Sequence, residues 1–249
     1  MGVLTRVPGL AAGALPGVAL GVAALVAGLA RRDKALHPIG RQGTGDLTVT
    51  DPVPGLGVDP LARVGTHPCT LRWSRSMGLP EGWPDIEGMA LRLPTGGPDG
   101  GVADVLLAST GTHGPSRYLL LLRGPGRFGH QTSLLPVRTP AGPATFMIAP
   151  DAEPVDGSPP AAYTLHVALG AGDWVRVGRI EITWSEQDTS QRFDPVANPL
   201  AGTEQYPFVQ ALREPPYVAA RLVTSVGRAG RQRRAAARRA GRRGPAVSQ

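Results

Sequence analysis

His37 sits in the polar stretch R-D-K-A-L-H-P-I-G-R-Q-G-T-G. An imidazole titrates near neutrality, so it can take a proton from one atom and return it to another in a single turnover. Arg72 and Ser74 are two residues apart in T-L-R-W-S-R, a strand-like run that puts both on one face. A guanidinium there can clamp a carboxylate, and a hydroxyl can hold a base in one tautomer. Further on, R-E-P-P-Y places Arg213 four residues before Tyr217. Its prolines suit the first turn of a helix, whose N-terminal field favours an anion. Taken singly, each residue also has an ordinary reading, as a loop histidine, a solvent-facing strand serine or a surface charge.

Other chemistries find no residue set. There is no G-x-S-x-G elbow for a hydrolytic serine. His67, His113, His130 and His166 are not spaced as metal ligands on one helix or strand. G-P-G-R-F-G and T-G-G-P-D-G-G lack the following helix that phosphate cradling requires, so they read as turns. The single cysteine, Cys69, excludes an internal disulfide and a C-x-x-C knuckle.

The elements that must position these residues are mostly strands. With Gly 34 and Pro 26, the chain is punctuated too often for long helices. Strand patterns fall at 46–50, 70–74, 89–93, 102–108, 118–122, 144–148, 163–169 and 175–184, each bounded by turn residues. Eight strands close a barrel whose interior side chains can fill. Few connections could hold a crossover helix, so the expected order is antiparallel. Residues 185–200, containing F-D-P-V-A-N-P-L, read as a loop wrapping that barrel.

The ends differ from the centre. Residues 7–30 carry no charge and lie between Arg6 and Arg31-Arg32. As a helix they would reach about 36 Å, enough for a bilayer core of roughly 30 Å. Gly9, Gly13, Gly17 and Gly21 would form one small-residue face on it. A membrane span or anchor, a helix packed on the domain, and a cleaved signal peptide are the three readings. At the other end, eight arginines and no acid lie between Arg228 and Arg243, whereas the rest of the chain holds 18 basic against 19 acidic groups. The net charge of +7 therefore belongs to a tail. Such a run is attracted to anionic lipid and is not expected to read nucleic acid.

Over 70–110 the chain runs T-L-R-W-S-R, a Gly/Pro turn, D-I-E-G-M-A-L-R-L, then A-D-V-L-L-A-S-T. This order resembles the distal-side barrel segment of haem catalases, which reads V-R-F-S, D-x-R-G-F-A-V-K-F and D-L-V-G-N-N-T. The stretch around His37 is similar to the catalase R-x-x-H-A-K-G-A-G-A-x-G. The resemblance covers about residues 32–225 and is loose after Trp184. It implies haem as cofactor, His37 as distal acid/base and Ser74 as its orienting partner. It further implies Arg72 and Lys34 as propionate partners, and Tyr217, backed by Arg213, as the iron ligand. The chain departs from the pattern at Ala108, where catalases carry an Asn that positions peroxide, and at Thr224, where they carry a further arginine.

The expected architecture is α+β and mainly β, an antiparallel eight-stranded catalase-like barrel with a hydrophobic N-terminal helix and a short C-terminal helix. Residues 1–31 form the helix, 32–226 the barrel domain and 227–249 the Arg-rich tail. The expected activity is haem-dependent oxidation with hydrogen peroxide or an organic, lipid-derived hydroperoxide. The alternatives are a haemless barrel binding an apolar ligand or a membrane partner, and a hydrolase of the phosphodiesterase kind with no recognisable residue set. The positive-inside rule points to the cytoplasm, with attachment to the membrane surface through the N-terminal segment and the basic tail. Assembly into a homo-oligomer is left open.

Overall fold

The computed structural model describes residues 40–80, 82–152, 157–185 and 191–207. His37, Lys34, Arg213, Tyr217, both expected helices and the Arg-rich tail lie outside these described residues. Among the described residues, no helix is long and apolar enough to cross a membrane.

Ten strands follow one another: β1 Gly40–Val49, β2 Gly65–Arg75, β3 Asp85–Leu93, β4 Ala103–Ser109, β5 Leu122–Arg123, β6 Gln131–Thr132, β7 Val137–Thr139, β8 Gly142–Pro150, β9 Ala162–Leu169 and β10 Val175–Trp184. Eight of them close a ring in the order β1-β2-β3-β4-β6-β8-β9-β10, with every pairing antiparallel. β5 and β7 lie off the ring, beside β3 and β8. This is the expected antiparallel eight-stranded barrel, with one member exchanged. The run 118–122 does not form a barrel strand. Gly114–Tyr118 is a short 3-10 turn, and Leu119, Leu121 and Leu122 are exposed. The ring is completed by Gln131–Thr132, whose two polar residues carry no alternation that a sequence pattern could reveal.

β3 shows how the sequence sets the wall. Its odd residues Asp85, Glu87, Met89, Leu91 and Leu93 are buried inside, and the even ones between them face outward. Leu47, Leu71, Phe146, Ile148, Leu165 and Ile180 fill the same interior from five other strands. The cavity left among Leu47, Leu91, Phe146 and Leu165 is about 10 Å³, no more than one water requires. The interior is thus a packed core, with no room at that point for an apolar ligand.

Two details hold the wall in shape. Asp85 closes the β2–β3 connection by accepting hydrogen bonds from the backbone N–H groups of Met77, Leu79 and Ile86 at 2.8, 3.1 and 2.7 Å. Where β1 meets β10, a Cβ at Gly45 would run into the Glu181 carbonyl oxygen, so only glycine permits that close approach.

The wrapping loop is latched to the outside of the barrel. Asp104 on β4 accepts a bidentate pair from Arg92 at 2.6 and 2.7 Å, the Asp194 N–H at 2.8 Å and the Asn198 amide at 2.7 Å. Arg92 also donates to the Arg192 carbonyl and lies over the Phe193 ring. These contacts fix the F-D-P-V-A-N segment that composition alone marked only as a loop.

Candidate functional site

Strand alternation separates β2 into two chemistries. Leu71, Trp73 and Arg75 turn toward the barrel interior, and Arg72 and Ser74 turn outward. Ser74 pairs in register with Gly40 on β1 and Gly88 on β3, and Gly88 pairs with Ala108 on β4. One step along, Arg72 pairs with Ala90. On the outer face of β1–β4 the Ser74 level is therefore lined by Gly40, Gly88 and Ala108, and the Arg72 level carries Gln42, Ala90 and Leu106. Arg72 and Ser74 are both buried although they point away from the core, at 9% and 4% exposure.

Close packing sets the position of Arg72. A Cβ at Gly40 would lie 2.7 Å from an Arg72 terminal nitrogen, so the absence of a side chain there lets the guanidinium fold against β1. The Ser74 hydroxyl makes only a stretched 3.5 Å contact to the Gly88 carbonyl. At that length it is weakly engaged and can serve a better acceptor. Arg72 and Ser74 are thus brought together on one face, as their spacing required. His37, Lys34, Arg213 and Tyr217 fall outside the described residues.

The departure at Ala108 is structural as well as sequential. Ala108 lies on this outer face beside Gly88, and Ser109 turns inward, donating to the Leu121 carbonyl at 2.6 Å and accepting the Glu87 N–H at 3.1 Å. Ser109 cannot replace a polar group at position 108. Cys69 is buried in the core, and burial pushes its thiol up to about 12, so it is no nucleophile.

A second polar cluster, not foreseen from the motifs, lies on the inner side of the same wall. Glu87 is 5% exposed, and burial pushes its carboxyl up to about 7 despite the opposing pull of Trp73, Arg123 and Gln131. Trp73 Nε1 donates to Glu87 Oε1 at 3.2 Å, and Arg123 Nε stands 3.5 Å from Glu87 Oε2. The signal was present in the sequence: Glu87 occupies the apolar phase of D-I-E-G-M-A-L-R-L, where Met89, Leu91 and Leu93 point inward. His130 and His166 are both held below the usual imidazole range, mainly by burial. Among the described residues, no group of three His, Cys, Asp or Glu side chains is placed to hold a metal ion.

No family profile matches the chain, and no curated protein matches it. Solved structures do. Catalase A from Saccharomyces cerevisiae superimposes with a TM-score of 0.56 at 14% identity, over 76% of this chain and 61% of that one. A bacterial catalase gives 0.54 at 15% identity, over 88% and 62%. A fungal catalase gives 0.56 at 12% identity, over 88% and 64%. The chain spans somewhat under two thirds of each of these proteins. By its ring order and these superpositions, the chain has a catalase-like β-barrel fold.

Proposed function

We propose that this chain is a haem-binding oxidoreductase acting on peroxides, and that the outer face of β1–β4 is where the macrocycle lies. The observation that carries this reading is the placing of Arg72 and Ser74, both buried, on a face that also carries Gly40, Gly88, Ala90 and Ala108, with Gln42 and Leu106 beside them at the Arg72 level. A flat ring needs such a surface, and a buried guanidinium suits a propionate. The described part of the site therefore fits the group. Haem, when bound, would supply the iron at which a peroxide oxygen–oxygen bond is broken.

The chain's own residues do the rest. Arg72 and Lys34 neutralise carboxylates, and the Ser74 hydroxyl fixes the His37 ring in one tautomer. The His37 imidazole takes a proton from one peroxide oxygen and returns it to the other. Tyr217 is the residue proposed to hold the iron, with Arg213 keeping its phenol deprotonated. In protein purified with haem supplied, Tyr217→Phe is expected to lose the Soret band; a colourless wild type would refute the reading.

Ala108 points to the substrate. It offers no hydrogen bond to a small peroxide and leaves space for a larger one, so we place organic hydroperoxides ahead of hydrogen peroxide. Because His37 follows the apolar stretch 7–30 by seven residues, a membrane-derived hydroperoxide is the preferred class. Ala108→Asn should raise hydrogen peroxide turnover relative to that of a fatty-acid hydroperoxide by about tenfold, the worth of one well-placed hydrogen bond of ~1.4 kcal/mol. An unchanged ratio in a steady-state assay of both substrates would count against this assignment.

One observation favours a second reading, a haemless barrel docked on a membrane or partner. Trp83 and Leu122 are each 61% exposed, on segments that meet where Ile86 pairs with Leu122. Colourless protein that still sediments with anionic vesicles would select it.

A further inference from the structure

Four polar atoms at one end of the barrel interior are buried and make no hydrogen bond: Glu87 Oε2, Gln131 Oε1, the Tyr163 hydroxyl and Arg123 Nε. Glu87, Gln131 and Tyr163 are 5%, 1% and 1% exposed. All four groups gather at one carboxyl. Arg123 forms an ion pair with Glu87 at 3.5 Å, too long and poorly directed for a hydrogen bond. Gln131 lies in the same cross-strand row, because the Glu87 N–H donates to Ser109 Oγ and Ser109 pairs with Gln131. The Tyr163 phenol is held above its ordinary range, first by burial and then by the Glu87 charge.

Buried polar groups left without partners are costly, so a cluster of them in one place calls for a ligand. The chemistry of this set is specific. Gln131 Oε1 can only accept, as does Glu87 Oε2 when the carboxyl is ionised; Arg123 Nε can only donate, and the Tyr163 hydroxyl can donate. Two acceptors and two donors converging on a carboxyl match a molecule with two O–H donors and two lone pairs. A cation would be repelled by Arg123 and would leave its N–H unused, and an anion would be repelled by Glu87.

We infer that Glu87, Gln131, Tyr163 and Arg123 close around one small hydroxylic molecule, water or hydrogen peroxide, inside the barrel end. The site is separate from the outer face, because Glu87 and Gly88 are consecutive residues on opposite sides of the β3 wall. It therefore stands whether or not haem binds. Trp73 and Phe128, with ring centres 5.6 Å apart, pack beside it, and Arg123 is its most exposed member. Exchange of the bound molecule is expected past the Arg123 side chain.

Crystal structures of the full chain, untreated and soaked in hydrogen peroxide, test this at a resolution that shows ordered water. Density is expected at hydrogen-bond distance from Glu87 Oε2 and from at least two of the other three atoms. A round peak in both crystals identifies water, and an elongated two-oxygen peak confined to the soaked crystal identifies peroxide; either supports the site. Gln131→Leu combined with Tyr163→Phe removes two of the four partners and should abolish the peak. No density in the wild type, with Glu87, Gln131 and Tyr163 hydrogen-bonded directly to one another, would overturn the inference, as would full occupancy in the double variant.

Discussion

Asp104→Ala is expected to cost the fold about 3–5 kcal/mol, the penalty of breaking a buried ion pair by deleting one partner. The Asp104 side chain is fully buried and satisfies Arg92 twice, together with the Asp194 N–H and the Asn198 amide. Removing it strands the Arg92 guanidinium on the barrel wall and releases the loop from its main anchor. The backbone bond from Asp104 N–H to the Asn198 carbonyl at 2.9 Å survives, so the loop should loosen rather than detach. Asp104→Asn keeps a hydrogen-bonding side chain of the same shape and should lose less. Denaturant unfolding followed by circular dichroism measures the loss, and limited proteolysis between residues 191 and 200 reports the loosening. A cost under about 1 kcal/mol would show that Arg92 finds another partner and that the latch has been misread.

Glu87 should impose a pH dependence of about 3 kcal/mol, from a shift of its carboxyl from 4.5 to about 7 at ~1.4 kcal/mol per unit. Between those values the folded state holds a proton that the unfolded chain has released. Stability from this group is thus complete below pH 4.5, falls as pH rises and is lost above about 7. Arg123 from β5 and Tyr163 from β9 face the carboxyl with Trp73 and Gln131, and Arg75, the register partner of Glu87 on β2, is ion-paired with Asp85. The comparison that isolates this group is wild type against Glu87→Gln. The difference in unfolding free energy between them should change by about 3 kcal/mol from pH 4.5 to pH 8, with the amide variant gaining as pH rises. Parallel curves would mean that the carboxyl stays ionised in the folded protein.

How far the sequence could be read depended on whether a pattern had room to repeat. β3 alternates over nine residues, and β10 alternates from Gly178 to Thr183 beyond a bulge near Arg176, so strands were legible at 89–93 and 175–184. β6 is two residues long, so the barrel member at 131–132 had no period to show, and the continuous apolar run 118–122 was taken in its place. Those leucines belong to the surface at one barrel end. Arg72 and Ser74 share a face because a two-residue spacing on a strand fixes one whatever surrounds it. The register that sets Ala108, rather than Ser109, beside Gly88 also matched the sequence comparison. Glu87 belongs to no motif, although an acid in the apolar phase of a strand is itself a signal. The convergence of Gln131 and Tyr163 upon it comes from strands far apart in sequence and needed the closed ring to be seen.

Whether the outer face of β1–β4 is a haem surface is tested most directly by a haem titration of the whole chain followed at the Soret band. Wild type should bind one equivalent with saturation, and Ala108→Trp, which sets an indole on that face without touching the core, should bind none while keeping the wild-type circular dichroism. A wild type that takes up no haem, or a tryptophan variant that takes it up equally well, would contradict the account.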